Sequence, residues 1–476
     1  MIRTRFAPSP TGFMHIGNLR TALYAYCFAR SQNGKFIIRI EDTDRTRYVE
    51  GAIDRIYRTL DACGMKEDES DRIEGACGPY VQSKRGKIYA EYAKKLIELG
   101  GAYYCFCDKE RLESLTDEIG NRKYDKKCAS LSKEEIAKLL RLGIPYVIRQ
   151  KIPTCGTTLY TDLVFGEIQV DCADLEDNIL LKSDGMPTYN FANVVDDHLM
   201  GITHVIRGTE YLSSTPKYNL IYKSFGWDIP QYMHLTPIMK NERQKLSKRD
   251  GDANFEDFTA KGFLPQAIIN YIALLGWSPK NNTEKMSLSE LISAFSIDGL
   301  SKSSSIFDEA KMKWLNSQYI KELPFDEFNK LAIPYYENSL IASKYNYSMF
   351  SSLLQQRIDI LSEIPEMVAF IEQFENFDTE LFVRQKLKTD KVLAKLVLPK
   401  LIDLFKNLDS FEHQSINDSI ISLCENIGLK KGQVYWILRI ALTGKESTPG
   451  GGIEIALLLG KNRSLERLSL SYSLLH

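Results

Sequence analysis

The sequence predicts an α/β fold: a Rossmann-like parallel-sheet domain that carries an inserted domain and is followed by an all-α C-terminal half. The opening residues follow a strand–loop–helix–strand pattern whose second strand is almost entirely apolar, as expected of a strand in a buried parallel sheet. From about residue 255 the patterns are helical to the C-terminus, and Pro324, Pro334 and Pro365 are expected in the connecting loops.

Length and composition set the broad class. A chain of 476 residues predicts several domains, and 44% hydrophobic with 26% charged residues is typical of a globular protein. The net charge of -1 gives no general affinity for polyanions, so a nucleic-acid partner requires local basic patches. No apolar stretch approaches the roughly 20 residues of a membrane helix. We therefore expect a cytoplasmic protein without a signal peptide or membrane contact, whose nine cysteines are thiols or metal ligands.

The first unit reads as a strand, a polar loop, a helix and a second strand. Residues 3–7 alternate as a short strand, which two prolines then break. Asn18 is expected to cap the following helix, whose apolar residues recur at helical spacing. An Asn-Gly pair ends that helix, and residues 35–40 form the apolar second strand.

The loop of this unit carries His15 and Gly17, which suit a phosphate site. It follows the carboxyl end of a strand, where α/β sheets bind ligands, and the next helix is expected to present free amide donors and the positive end of its dipole. Gly17 allows a ligand close to the backbone, and His15 can hydrogen-bond to a phosphate. Taken alone, one H-x-G also fits an ordinary glycine-containing turn.

A second segment, Lys-Leu-Ser-Lys at residues 245–248, follows the apolar stretch LTPIM. Two lysines that flank a serine can clamp a polyphosphate and stabilise the charge that develops in a transition state. By itself, the run also fits a solvated basic loop.

Together these segments resemble the two signatures of class I aminoacyl-tRNA synthetases. His15-Ile16-Gly17-Asn18 is similar to the HIGH element and residues 245–248 to the KMSK element, with Asn18 and Leu246 as departures. Collinear blocks along nearly the whole chain resemble the glutamyl-tRNA synthetase family of the bacterial type. These blocks are FAPSPTG, RIEDTDR, GPYVQSKR, DGMPTYNFANVVDDHLMGITHVIRG, KLSKRDG, GFLPQAIINYIALLGW and ALTGKESTPG.

The resemblance implies a glutamate pocket, and the residue types agree with it. Arg207 can hold a carboxylate in a bidentate fork, Glu41 can accept from the substrate ammonium, and Arg5 can pair with a second charged end. Tyr189 and Asn193 lie four apart, so they share a helix face. A structural Arg5–Glu41 salt bridge is the alternative for those two residues. The implied pocket consists of Arg5, Ser9, Glu41, Tyr189, Asn193 and Arg207.

The implied chemistry has two steps. Glutamate attacks the α-phosphate of ATP to give glutamyl-adenylate, and the 2′-OH of the terminal tRNA ribose then takes the glutamyl group. No side-chain nucleophile is needed, because catalysis rests on positioning and charge stabilisation, with Mg²⁺ on the phosphates. The implied catalytic residues are His15, Gly17, Lys245 and Lys248, and the implied ATP site adds Ser9, Asn18, Leu246 and Ser247.

A metal site is predicted in the segment from about residue 86 to 185, which the resemblance makes the acceptor-stem domain. Cys105-x-Cys107 and Tyr124-x3-Cys128 offer three thiols and an oxygen for one structural Zn²⁺. Three reduced structural cysteines are the alternative. The remaining thiols are expected only to pack: Cys27, Cys63, Cys77, Cys155, Cys172 and Cys424.

The resemblance makes the C-terminal half the anticodon-binding region. Arg357, in LLQQRIDIL, aligns with a residue that contacts the third anticodon base and favours an enzyme restricted to tRNA(Glu). Basic residues near the C-terminus suit contacts to RNA phosphates, with solvated helix faces as the alternative. They are Lys430, Lys431, Arg439, Lys445, Lys461, Arg463 and Arg467.

The expected domains are residues 1–85 and 186–240 for the two halves of the catalytic domain, 86–185 for the insertion, 241–320 for the KLSK loop and stem-contact helices, and 321–378 and 379–476 for two anticodon-binding domains. Three alternatives remain: an enzyme that also charges tRNA(Gln) with glutamate, an inactive paralogue that binds RNA or nucleotide, and a shorter type of adenylyl-transferring enzyme. Intact signature residues argue against the second and the helical C-terminal half against the third. A monomer is expected from the resemblance.

Overall fold

The computed structural model describes residues 1–115, 124–246, 253–374 and 377–476. They form two compact units, one of Met1–Ala260 with Pro265–Glu309 and one of Lys261–Leu264 with Ala310–His476. Among the described helices, none has both the length and the apolar character needed to cross a bilayer.

The strands all lie in the first unit. They are β1 (Arg3–Phe6), β2 (Lys35–Ile38), β3 (Ala102–Cys105), β4 (Val147–Gln150), β5 (Thr157–Asp162), β6 (Gly166–Asp171), β7 (Ile179–Leu181), β8 (His204–Gly208), β9 (Gln231–Leu235), β10 (Ile238–Met239) and β11 (Ser305–Ile306).

The helices of the first unit are α1 (Ile16–Ser31), α2 (Ala52–Ala62), α3 (Gly86–Glu98), α4 (Lys109–Glu113), α5 (Lys133–Arg141), α6 (Tyr189–Leu199), α7 (Thr215–Phe225), α8 (Phe255–Ala260), α9 (Pro265–Leu274) and α10 (Leu288–Ala294). Those that follow are α11 (Glu309–Glu322), α12 (Phe325–Glu337), α13 (Tyr347–Leu354), α14 (Ile364–Val368), α15 (Lys391–Lys406), α16 (His413–Ile427), α17 (Lys431–Thr443) and α18 (Gly452–Ser473).

The main sheet confirms the predicted parallel arrangement. Its order is β2-β1-β8-β9-β5-β6, and every neighbouring pair is parallel except the β5–β6 hairpin. The hairpin comes from the segment predicted as an insertion, whereas β3, β4 and β7 of that segment form a separate antiparallel sheet. In the β8–β9 pair, Arg207 lies opposite His234, so the ends of two adjacent strands each supply one polar residue.

Helix α1 begins earlier than the sequence pattern predicted. The capping residue is His15, whose side chain accepts a hydrogen bond from the Gly17 amide, and not Asn18, which lies inside the helix. The helix is buried on most sides because it packs against β1, β2 and β8 as well as α9 and α10. The helix therefore buries more than the one face that helical spacing of apolar residues indicates.

The second unit is helical throughout its described residues, as predicted, but two of the prolines do not lie in loops. Pro334 lies inside α12, and Pro365 lies in the first turn of α14, where its missing N–H costs no helix hydrogen bond. Helix α18 bends at Gly460, whose φ of 76° is a conformation that glycine adopts without a Cβ clash. Its C-terminal part is held by Arg467, which donates to the carbonyls of Leu442 and Phe370.

Candidate active site

A cavity of about 700 Å³ lies at the carboxyl edge of the parallel sheet. Its walls come from the loop after β1 and from the residues that follow β2, β8 and β9. Crevices at this edge are where open α/β sheets bind ligands. The predicted residues that line the cavity are Arg5, Ser9, His15, Gly17, Asn18, Glu41, Tyr189, Arg207 and Lys245.

The start of α1 is arranged differently from the expected phosphate site. The Gly17 amide donates to His15 Nδ1 at 3.0 Å, the Ile16 amide to the Ala253 carbonyl, and the Asn18 amide to the His15 carbonyl. The prediction of free amides was therefore wrong for these three groups. His15 Nδ1 accepts, so a neutral imidazole carries its proton on Nε2.

Gly17 lies close to this ring, and a larger residue there would require the ring to shift. A Cβ at position 17 would lie 3.1 Å from His15 Nδ1, closer than an ordinary contact. The side chains of Ser9 and Asn18 are exposed in the same cavity. A phosphate at this position would therefore be attracted by the helix dipole and would accept hydrogen bonds from side chains, not from these three amides.

Four buried charged side chains lie together beside this loop, and two of them, Arg5 and Glu41, line the cavity. Asp197 binds Arg5 through Nε at 3.0 Å and Nη2 at 3.2 Å, and it binds Arg39 at 2.6 Å. Arg39 also donates to Glu41 at 3.0 Å. The Arg5–Glu41 bridge considered from the sequence is therefore replaced by two other pairs, Arg5–Asp197 and Arg39–Glu41.

The pKa shifts of these acids follow from burial and the guanidinium groups. Burial acts to raise the pKa of Asp197, but the charges of Arg39 and Arg5 exceed that effect and lower it. For Glu41 burial prevails over Arg39 and Arg5, and its pKa is raised. Glu41 is thus less fully compensated than Asp197, and a substrate ammonium would supply the missing positive charge.

The guanidinium of Arg207 is buried and has no ion-pair partner among the described residues. Its Nε donates to His234 Nε2 at 3.2 Å, and its Nη2 donates to Thr215 Oγ1 at 2.6 Å. The rings of Tyr211 and Tyr218 lie 5.1 and 4.9 Å from its central carbon. These groups hold the cation in place without neutralising it.

Tyr189 and Asn193 both lie on α6, as predicted, but only Tyr189 lines the cavity. Asn193 is buried, and its amide donates to the Tyr189 carbonyl at 2.5 Å. In this conformation Asn193 fixes the first turn of α6.

The basic segment after β10 is described only in part. Lys245 is exposed and lines the cavity, whereas Leu246 is buried and its amide donates to the Ile238 carbonyl. Ser247 and Lys248, which the sequence also assigned to the ATP site, lie outside the described residues.

The predicted metal ligands come together in space. The sulfurs of Cys105, Cys107 and Cys128 lie within 4.8 Å of one another, and those of Cys107 and Cys128 are 3.6 Å apart. The Tyr124 hydroxyl lies 3.2 Å from the Cys105 sulfur and 3.6 Å from that of Cys107. Tetrahedral zinc with Zn–S bonds of about 2.3 Å separates its sulfurs by about 3.8 Å. The donor atoms therefore fit the corners of one zinc site.

Two further residues support this cluster, and the sequence did not point to either. Arg149 donates to the Cys105 sulfur at 3.4 Å and lies over the Tyr124 ring at 4.1 Å. Asp177 accepts from the Tyr103 hydroxyl at 2.7 Å and so ties β3 to the loop before β7. Of the six cysteines expected to pack, Cys155 is instead exposed.

The second unit carries a cavity of about 600 Å³ with basic walls. Arg384 lies over the ring of Trp436 at 4.0 Å, and both line the cavity with Arg439. Burial lowers the pKa of Arg439, and the like charges of Arg357 and Arg384 lower it further. Arg357 is exposed in the turn after α13, not within a helix, and belongs to this basic group.

Three of the C-terminal basic residues instead have structural partners. Arg467 is buried against main-chain carbonyls, Arg463 pairs with Glu372 at 3.0 Å, and Lys461 donates to the carbonyls of Lys406 and Leu408. Their side chains brace α18, so the expected phosphate contacts do not apply to them in this conformation.

The sequence analysis missed several residues that surround the cavity, because the residues they contact are distant along the chain. Arg39 directly follows the apolar strand β2, and the pair Asp196-Asp197 follows two valines in α6. Charges in such apolar surroundings indicate buried ion pairs, and this signal was available in the sequence. His234 had no comparable signal.

Comparisons with known proteins agree along the whole chain. Residues 1–314 match the family of the catalytic domain of class I tRNA synthetases (E and Q), and residues 311–471 match an anticodon binding domain. A glutamate–tRNA ligase from Clostridium novyi is 54% identical over 470 residues, which cover 98% of this chain and 96% of the relative. One from Clostridium acetobutylicum is 51% identical over 473 residues, 98% of each chain. The crystal structure of a glutamate tRNA ligase from Elizabethkingia meningosepticum, in complex with its amino acid, has a TM-score of 0.90 at 35% identity and covers 100% of both chains.

Proposed function

The chain belongs to the glutamate–tRNA ligases of the class I tRNA synthetases, and from this premise we propose which residues carry the reaction. As a member of that family, it joins glutamate to tRNA at the expense of ATP, and class I synthetases use ATP with Mg²⁺.

One observation carries the assignment of glutamate: Arg207 is a buried guanidinium in the cavity wall that has no carboxylate partner among the residues that the structure describes. A buried charge without a partner is costly, and a substrate carboxylate would remove that cost. Arg5 is less suited, because Asp197 already occupies its Nε–Nη2 edge. We therefore assign the side-chain carboxylate of glutamate to Arg207 and its ammonium to Glu41.

The α-carboxylate has a different requirement, because it must attack the α-phosphate of ATP. In this proposal it lies between Tyr189 and the start of α1, where His15 and Asn18 offer side-chain donors. Ser9 contributes a hydroxyl to the same wall. Lys245 and Lys248 would neutralise the pyrophosphate as it leaves, and Mg²⁺ bound to ATP would assist them.

The test of this assignment is Arg207→Gln in glutamate-dependent ATP–pyrophosphate exchange with tRNA present. Loss of a buried bidentate charge pair costs about 3–5 kcal/mol, so the KM for glutamate should rise roughly 100-fold or more while the KM for ATP stays within about twofold. Arg243→Gln, at an exposed site outside the cavity lining, is the matched control. An unchanged KM for glutamate in Arg207→Gln would refute the assignment.

We further propose that the cysteine cluster holds one zinc ion, with Cys105, Cys107, Cys128 and the Tyr124 oxygen as ligands. The tetrahedral spacing of the four donor atoms supports it. Bound zinc would fasten β3 to the turn that contains Cys128 and would take no part in aminoacyl transfer. The segment from 86 to 185 would present this fastened turn to the acceptor stem.

For the RNA substrate we propose tRNA(Glu) alone, with the second unit as the anticodon-binding region. The clustering of Arg357, Arg384 and Arg439 beside Trp436 supports this proposal, since guanidinium groups and an aromatic ring suit phosphates and unstacked bases. We also propose that the enzyme acts as a monomer in the cytoplasm, where its substrates are found. We also propose domain boundaries after residues 85, 185, 240, 320 and 378.

The tRNA range is tested by charging purified tRNA(Glu) and tRNA(Gln) of the source organism with labelled glutamate. We expect charging of tRNA(Glu) alone, and a measurable gain of tRNA(Gln) charging in Arg357→Gln. Lys386→Gln, at a basic residue that lines the cavity with Arg384 and Arg439, is the control for a general loss of charge. Equal charging of both tRNAs by the unaltered enzyme would establish the broader alternative instead.

A further inference from the structure

Arg207 contacts a buried histidine–carboxylate pair. His234 on β9 and Asp162 at the end of β5 are both fully buried, and Asp162 Oδ2 lies 2.7 Å from His234 Nδ1. On its other side, His234 Nε2 accepts from Arg207 Nε at 3.2 Å. The three side chains thus form one chain of hydrogen bonds that ends in the cavity.

The contacts of His234 with Asp162 and with Arg207 determine which imidazole nitrogen carries the proton. Asp162 is an acceptor toward four N–H groups: the amides of Val164, Phe165 and His234, and the His234 ring. Arginine can only donate, so His234 Nε2 must carry the lone pair. The ring is consequently the neutral tautomer with its hydrogen on Nδ1. Burial lowers the pKa of His234, in agreement with a neutral ring.

The same contacts decide which edge of Arg207 faces a ligand. Nε donates to His234, and Nη2 donates to Thr215 Oγ1, which lies only 3.3 Å from His234 Nε2. Both acceptors therefore share the Nε–Nη2 edge of the guanidinium. The described residues make no hydrogen bond to Nη1, so the edge formed by Nη1 and the second Nη2 hydrogen can bind a carboxylate end-on.

We propose that Asp162, His234 and Thr215 are positioning residues that hold Arg207 with its Nη1–Nη2 edge toward the substrate, and so set the affinity for the glutamate side chain. This inference rests on the proposed role of Arg207 and extends it. None of the three residues needs to touch glutamate. Their effect is to keep the cation in one orientation and to leave it without a competing carboxylate.

The isosteric change Asp162→Asn separates positioning from packing. Two amides, those of Val164 and Phe165, require an oxygen at Oδ1, whereas only the longer contact from the His234 amide requires one at Oδ2. The new amide group would therefore point toward His234 Nδ1. That reverses the histidine tautomer and places an Nε2–H against the Arg207 Nε–H. Reversal of a buried tautomer by an Asp→Asn change is the same logic by which a catalytic triad is tested.

The experiment measures KM for glutamate, KM for ATP and kcat in pyrophosphate exchange, with tRNA present, for Asp162→Asn, Arg207→Gln and the unaltered enzyme. Loss of a hydrogen bond to a charged group should raise the KM for glutamate at least about tenfold in Asp162→Asn, with the KM for ATP changed less than about twofold. Histidine ¹⁵N shifts, assigned with His234→Gln, should show the proton on Nδ1 in the unaltered enzyme and on Nε2 in Asp162→Asn.

A second pair keeps the proposal testable if Asp162→Asn folds poorly. Thr215→Val removes the acceptor for Arg207 Nη2, whereas Thr215→Ser keeps it, so only the valine variant should raise the KM for glutamate. His204→Gln is the control for a buried histidine of the neighbouring strand, since its ring contacts Phe28 and Thr203 and not Arg207.

The outcomes are distinguishable. If Arg207→Gln raises the KM for glutamate but Asp162→Asn and Thr215→Val do not, the positioning role is overturned and the proposed function stands. If Arg207→Gln itself leaves that KM unchanged, both the assignment of glutamate and this inference fail. A proton found on Nε2 in the unaltered enzyme would also overturn the inference.

Discussion

Asp197 is the residue on which the buried charges of the active-site wall depend, and Asp197→Asn is the corresponding perturbation. The amide keeps the volume but removes the charge that holds Arg5 at 3.0 Å and Arg39 at 2.6 Å. Arg39 would retain Glu41, while Arg5 would keep only the Ile206 carbonyl among its present partners. One guanidinium is thereby left buried without a counter-charge.

The cost follows from that unpaired charge. Removal of one partner from a buried ion pair destabilises a protein by about 3–5 kcal/mol. In a unit of this size each kcal/mol lowers the melting temperature by roughly 2–4 °C. We therefore expect the melting temperature of the first unit to fall by roughly 10 °C. Released Arg5 would also compete for Glu41, so the KM for glutamate should rise.

Differential scanning calorimetry of the full chain measures the effect. The transition of the first unit is identified by its shift when glutamate and ATP are added, because ligands stabilise the unit that binds them. Glu113→Gln, the same chemical change in an exposed pair with Lys109, is the control and should leave the melting temperature unchanged. A decrease below about 2 °C for Asp197→Asn would refute the account of the buried cluster.

Two further predictions concern the metal and pH. Cys105→Ser should lower the zinc content, measured by plasma mass spectrometry, from one equivalent per chain to a small fraction, whereas Cys155→Ser should leave it unchanged. Absence of zinc from the unaltered protein, purified with zinc present, would contradict the proposed site. Hydrogen bonds from Arg3 hold the pKa of Glu69 at about 2, against an ordinary value of 4.5. A lowered pKa stabilises the fold above the unfolded value, and this stabilisation is lost as the pH falls from about 4.5 toward 2. The difference in unfolding free energy between the unaltered protein and Glu69→Gln, about 3 kcal/mol at pH 6, should thus shrink by about 2 kcal/mol by pH 3, as urea titrations at both pH values would measure. A difference independent of pH would show that Glu69 is not responsible.

The parts of the molecule that the sequence predicted well depend on local pattern. The apolar run at β2 specifies a strand buried on both faces, and the comparisons confirm both the parallel-sheet fold and the ligase family. The start of α1 was displaced by three residues, because the cap is a histidine whose ring reaches the Gly17 amide. Sequence preferences for caps favour Asn and do not register a contact of that kind.

The family signatures, the parallel sheet, the helical second half and the residue types of the proposed glutamate pocket could be predicted from the sequence, because each depends on neighbouring or regularly spaced residues. The sequence could not show which of two arginines is available for a carboxylate, because that depends on the folded chain. Arg5 meets Asp197 from 192 positions away, whereas Arg207 meets His234 and, through it, Asp162. Charge compensation depends on distance in space, which no local pattern encodes, so the chemical role of an arginine emerges only when the chain has folded.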